Sequence, residues 1–144
     1  GRLDSFQAAV LLAKCDIFEA ELTQRQQVAD NYTSLLSADN GQLKLPGHDD
    51  DYRSAWAQYS RLAKSDAQRD LLRAKLQEAG IPTAVYYPIP LHLQRAFQDL
   101  GYKKGDFPVS EDCCRRIFSI PMYPYLEPQQ QREVASAINA CLSQ

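Results

Sequence analysis

Methionine, tryptophan and histidine are scarce, with one Met, one Trp and two His in 144 residues. Longer-range features are scarcer still. No apolar run approaches the roughly 18–20 residues that cross a bilayer, and Gly1-Arg2-Leu3-Asp4 is not a secretory signal, so the expectation is a cytoplasmic chain with no membrane partner. Sixteen Lys and Arg stand against 18 Asp and Glu, which leaves a net charge of −2 and none of the basic excess that a nucleic-acid partner demands. Cys15, Cys113, Cys114 and Cys141 form no C-x-x-C or Cys/His cluster and read as reduced, mostly buried thiols. His48 beside Asp49, Asp50 and Asp51 lacks the ligand spacing of a Ca²⁺ loop and reads as a solvated loop. There is no Gly-rich phosphate cradle, no nucleophile elbow, no H-E-x-x-H and no Ser/His/Asp spacing, so no catalytic residue and no metal site is expected in this chain. The only Met is Met122, which makes a processed product or a fragment the expectation.

The residues present describe a mixed domain of common size. From Arg2 to about Ala38 there is no Gly or Pro, and Leu3, Phe6, Val10, Ala13, Ile17 and Ala20 recur at alternating spacings of three and four, the stripe of an amphipathic helix. The stripe then shifts to Val28, Tyr32 and Leu35, and Asp16-Ile17-Phe18-Glu19 has the form of a capping box, so a kink or break is expected near Cys15. Such a segment spans about 50 Å, longer than the domain the rest can build, so part of it should lie against something outside this chain. Short strands are expected at Gln42–Leu45, Ala55–Leu62, Thr83–Tyr87 and Phe118–Ile120. Helices are expected from Ser65 or Asp66 to Ala79, with Gly80 and Pro82 as the stop, from Leu93 to Leu100, from Ser110 as N-cap to Ile117, and from Glu127-Pro128 to Cys141. The order argues an α+β fold: a small, mostly antiparallel sheet covered by helices, with residues 1–38 as linking helix or helices and 39–144 as the domain.

Chemistry concentrates in Tyr86-Tyr87-Pro88-Ile89-Pro90-Leu91-His92, where two phenols and an imidazole sit at the end of a strand before a proline-stiffened loop. Such groups donate hydrogen bonds to phosphate, hydroxyl or carboxylate, and the prolines preorganise the edge. The same residues also suit plain packing, with one Tyr in the core, the other on the surface and His92 capping a short helix. Arg2 is the second candidate, because a guanidinium at a helix start opposes the macrodipole unless an anion compensates it.

Arg2-Leu3-Asp4-Ser5-Phe6-Gln7-Ala8-Ala9, Arg25, Tyr32, Gly80-Ile81-Pro82-Thr83, Tyr86 to His92, Gly101-Tyr102, Phe107-Pro108-Val109-Ser110-Glu111 and Ile120-Pro121-Met122-Tyr123-Pro124 together resemble the C-terminal part of the DegT/DnrJ/EryC1/StrS family. These are pyridoxal-phosphate-dependent nucleotide-sugar aminotransferases of fold type I. The resemblance implies a small C-terminal domain plus linking helix, with the cofactor and its Schiff-base lysine on a large domain that this chain lacks, and a homodimer as the working unit. It implies that Arg2 reaches across the dimer towards the sugar nucleotide, that Tyr86 and Tyr87 border the substrate where many members carry His-Tyr, and that His92 lies beside it. It further implies amination of a keto-sugar nucleotide, with a leaning to a UDP-3-keto-hexuronate for cell-surface polysaccharide, and an amino donor such as glutamate. A dehydratase of the same family and a non-catalytic binding or dimerisation module are the alternatives.

Overall fold

The computed structural model describes residues 3–37, 41–45, 47 and 51–143. It opens on α1 (Ser5–Leu36), a single helix of 32 residues, about 48 Å long at 1.5 Å per residue. No break interrupts it at Cys15. The Asp16–Glu19 capping box does not form, because a capping residue must lie outside the helix and Asp16 sits in its middle, where continuous i to i−4 bonding wins. The true N-cap is Asp4, whose Oδ1 accepts the Phe6 N–H at 2.7 Å.

The two ends of α1 meet different surroundings. Residues 3–20 are exposed apart from half-buried Ala8, whereas Val28, Ala29, Tyr32 and Leu36, which share one helix face, are buried. At the transition Glu21 accepts from Lys14 Nζ at 2.6 Å and from the Tyr125 hydroxyl at 2.8 Å. Arg25 then donates to the Trp56 carbonyl at 3.0 Å, and Gln26 Oε1 accepts from the Trp56 indole at 2.8 Å.

The sheet is smaller than the sequence suggests. Among the described residues only β1 (Tyr59–Leu62) and β2 (Ile117–Ile120) are strands, paired antiparallel with Tyr59 opposite Ile120 and Leu62 opposite Ile117. The expected strands at 42–45 and 83–87 shrink to single bridges, Lys44 to Leu62 and Ala84 to Ser119, one on each side of the pair. Prolines bound the second: Pro82 and Pro88 have no N–H, so pairing extends past neither end of the segment. In 55–62 the strand begins only at Tyr59, because Trp56 takes a positive φ of 44° that no strand tolerates.

Helix α2 (Asp66–Glu78) starts at Ser65, whose Oγ accepts the Gln68 N–H at 3.1 Å. It ends in a Schellman motif: Ile81 N–H reaches the Leu76 carbonyl at 2.8 Å and Gly80 N–H the Gln77 carbonyl at 3.0 Å, with Gly80 at φ +74°. Two 3₁₀ turns, Leu91–Leu93 and Arg95–Leu100, replace the expected helix at 93–100. Helix α3 (Pro108–Arg116) begins three residues earlier than expected, capped at Phe107 with Pro108 in its first turn, so Ser110 lies inside the helix rather than capping it. Helix α4 (Pro128–Leu142) carries the capping box between Glu127 and Gln130.

One core unites these elements. Tyr32 packs on Tyr59 with ring centroids 5.2 Å apart, and Trp56 stacks on Tyr59 at 5.7 Å. Around them lie Leu36, Leu72, Leu76 and Phe118, with Val134, Ala135 and Ile138 from one face of α4. All four cysteines are free; Cys15 is exposed and the other three are half-buried, which corrects the expectation of mostly buried thiols. Cys15 is exposed because it lies on the outer turns of α1, whose residues, half-buried Ala8 apart, are all exposed.

Two outcomes follow from this architecture. Gly80→Ala should destabilise the chain by about 1 kcal/mol in thermal or urea melts, from backbone strain alone, because a Cβ there meets no atom within 4 Å. Leu3 and Phe6 are 63% and 83% exposed, so the double replacement Leu3→Ser with Phe6→Ser should shift the isolated chain from self-associated towards monomeric in sedimentation velocity. An unchanged distribution counts against that stripe as the source of association.

Candidate functional site

The edge that carries the two tyrosines is anchored to the sheet at one end. Ala84 N–H reaches the Ser119 carbonyl at 3.1 Å, and Ser119 N–H returns to the Ala84 carbonyl at 2.8 Å. The chain then leaves the sheet, because Pro88 and Pro90 have no N–H to offer. Tyr86 and Tyr87, joined by a cis peptide, stand edge to face with centroids 5.9 Å apart and are 42% and 66% exposed. Beyond them Leu93 N–H closes on the Pro90 carbonyl at 3.0 Å, and Gln94 Nε2 donates to the Ile89 carbonyl at 3.0 Å.

His92 is turned away from that surface. It is buried, with its Nε2 3.1 Å from Glu111 Oε1, and its ring lies 4.8 Å from that of Phe107, which in turn meets Tyr102 edge-on at 5.0 Å. The same Glu111 oxygen accepts the Gly105 N–H at 2.7 Å. An ionised carboxylate only accepts, so a neutral His92 carries its proton on Nε2. The Gly105 N–H foremost, and then the His92 bond, hold the Glu111 carboxyl below its ordinary value of 4.5.

Between the edge and α3 lies a cleft of about 210 Å³, with Tyr86, Tyr87, Pro90 and Leu91 on one wall and Cys113 and Cys114 on the other. Tyr86 also lines a second hollow of about 240 Å³ with Ala57, Pro82, Ala84 and Met122. Burial pushes the Cys114 thiol up, with the Cys113 thiol adding to it, so Cys114 remains a protonated thiol at neutral pH and a weak nucleophile. What the edge can do chemically is bind: two phenols and exposed Ile89 and Leu91 suit a ligand with hydroxyls or phosphate and a flat or apolar part.

Of the four sequence-predicted residues, the structure brings Tyr86 and Tyr87 together on one cleft and sets His92 behind them on Glu111. Arg2 lies outside the described residues, as does His48. Sequence reasoning passed over Glu111, although Pro108 at the helix start was a signal that an acidic residue three positions on falls in the first turn, where the dipole favours it. It also treated Cys113 and Cys114 only as buried thiols, since helix register alone did not reveal that both face the edge. Among the described residues no group of three or more His, Cys, Asp or Glu could hold a metal ion. No lysine lines the clefts described above, and Lys14 and Lys75 are engaged at the surface with Glu21 and Glu78, so the residues here do not fit the aldehyde of pyridoxal phosphate.

The lowered Glu111 carboxyl sets a pH dependence. A carboxyl held down by folding contributes stability above its unfolded pKa and loses that contribution as pH falls through the folded value. Wild type should therefore exceed Glu111→Gln in Tm at pH 7, and the difference should shrink on acidification below about pH 4.5. A constant difference across the titration would remove the carboxylate from the account.

The model of the DegT/DnrJ/EryC1/StrS aminotransferase family matches residues 1–139. The "Pleiotropic regulatory protein" of Geobacillus stearothermophilus is 41% identical over 138 residues, 95% of this chain and 36% of that protein. The UDP-2-acetamido-2-deoxy-3-oxo-D-glucuronate aminotransferase of Pseudomonas aeruginosa is 39% identical over 137 residues, again 95% of this chain and 36% of that protein. Among solved structures, Streptomyces venezuelae DesV in complex with ketimine intermediate superposes with a TM-score of 0.92 at 30% identity, covering 99% of this chain and 38% of that one. The chain thus spans a little over a third of the length of the relatives it matches. A family model matching all but the last five residues, with the α+β architecture shared over nearly the whole chain, makes this chain a member of the DegT/DnrJ/EryC1/StrS aminotransferase family.

Proposed function

We propose that this chain is the C-terminal part of a pyridoxal-phosphate-dependent aminotransferase that aminates a keto-sugar nucleotide of the UDP-3-keto-hexuronate type, for cell-surface polysaccharide or a related product. One observation carries the reading: 95% of the chain aligns at 39% identity with an enzyme named for aminating a 3-oxo-glucuronate nucleotide. In this reading residues 1–38 link to a large domain elsewhere in the whole protein, residues 39–144 form the small domain, and the working unit is a cytoplasmic homodimer.

The division of labour follows from the side chains. Pyridoxal phosphate, held by the rest of the whole protein, supplies the electron sink for moving an amino group from a donor such as glutamate. The residues of this chain bind and orient. Tyr86 and Tyr87 present phenol donors from a backbone fixed at Ala84 and stiffened by two prolines, so little ordering entropy is lost when a hydroxyl or diphosphate engages them. Arg2 would meet the sugar carboxylate or the diphosphate as a two-pronged donor. His92, held by Glu111, would support the edge from behind.

The test is amination of UDP-2-acetamido-2-deoxy-3-oxo-D-glucuronate by the whole protein with glutamate, read by mass spectrometry of the product. Loss of a hydroxyl from the sugar instead of gain of an amine would favour the dehydratase, and neither change would favour a binding module. In that assay Tyr87→Phe should raise KM about fivefold to tenfold with kcat within about twofold, the loss of one hydrogen bond. The isolated chain should neither turn over nor retain pyridoxal after borohydride; turnover, or pyridoxal fixed to the isolated chain, would overturn the proposal.

A further inference from the structure

We infer that Glu111 is a positioning residue that sets the pose of the Tyr86–Leu91 edge through His92, an inference that rests on the reading of that edge as substrate-binding. The segment that bears the tyrosines hangs between two attachments. The first is the pair of backbone hydrogen bonds between Ala84 and Ser119 on β2. At the far end, side chains do the holding. Pro88 and Pro90 lack N–H groups, and the 3₁₀ turn at Leu91–Leu93 has no side-chain cap, so its own backbone gives it little purchase on the body. Buried Pro90 and His92 join it to the body, and the polar bond is made by His92, whose Nε2 lies 3.1 Å from Glu111 Oε1 beside the Phe107 ring.

Glu111 is suited to that task because it is fixed on its own account. It sits in the first turn of α3, its N–H bonds to the Phe107 carbonyl at 3.0 Å, and its carboxylate is held by the Gly105 N–H at 2.7 Å. Helix α3 runs directly into β2, the strand that also carries Ser119. Both attachments of the edge therefore end on one continuous α3–β2 unit, and the cleft between Tyr86, Tyr87, Cys113 and Cys114 is the space that this unit and the edge enclose. The carboxylate also ties down the 101–107 loop through Gly105, so one oxygen locks two loops to one helix. A bond from a buried donor to a charged acceptor is among the stronger ones, and removing the acceptor leaves His92 Nε2 and Gly105 N–H without a partner.

The test compares wild type, Glu111→Gln and Glu111→Ala. In hydrogen exchange of the chain, Glu111→Ala should lower protection at Leu93 and Gln94 about tenfold, while α4 and the β1–β2 pair stay as in wild type. Neither amide touches Glu111, so their exchange reports the pose of the edge. Glu111→Gln keeps an acceptor oxygen for both donors and should restore most of the protection. In the whole protein, Glu111→Ala should raise KM for the sugar nucleotide about tenfold with a smaller change in kcat, and Glu111→Gln should recover most of it. Unchanged exchange at Leu93 and Gln94 in Glu111→Ala overturns the positioning role, and so does unchanged KM. Equal losses from Gln and Ala would also overturn it, since the acceptor would not be what matters. If wild type acts on no sugar nucleotide, the functional reading fails by itself, and the exchange data still decide whether Glu111 holds the edge.

Discussion

The contact on which this structure rests is the burial of Tyr32 against Tyr59. It presses the second half of α1 onto the first strand, and every other element arranges itself around that seam: Trp56 stacks on Tyr59, and Leu36 and Ile138 are fully buried in the same core. Thr33 takes the Tyr59 hydroxyl at 2.9 Å, so the aromatic pair is fixed at its polar end as well as by packing. The unfavourable backbone of Trp56 is tolerated here because Arg25 holds its carbonyl, Gln26 holds its indole and Tyr59 holds its ring.

That seam explains the double character of α1. Its inner turns belong to the core, whereas its outer turns present Leu3, Phe6, Val10 and Ile17 to solvent. Helix propensity carries the outer half, since its large apolar side chains are exposed and no Gly or Pro interrupts it.

The candidate edge is governed by a different constraint. Prolines deprive it of ladder bonds, so its shape comes from two end attachments and from what lies beneath them. The tyrosines are exposed because the loop that carries them is lifted off the sheet, and His92 is buried because Glu111 draws it inward. A pair of donors on a stiffened edge, backed by a buried hydrogen bond, is a binding device.

Much of this was legible in the residues. The helix over Arg2 to about Ala38, the Ser65 cap, the Gly80 stop and the Glu127-Pro128 start are local signals, and local sterics and capping bonds carried them into the structure, with Asp4 as the cap of the first. The Tyr86–His92 words likewise marked the edge, and the resemblance they carry agrees with the family match. Tertiary structure alone decided which half of α1 is buried, that two expected strands reduce to single bridges, and that Tyr86 and Tyr87 share a cleft while His92 turns back to Glu111. The physical reason is the range of the interactions: caps and stops act over four residues, whereas a bond between His92 and Glu111 spans 19 and exists only once α3 has docked beside the loop.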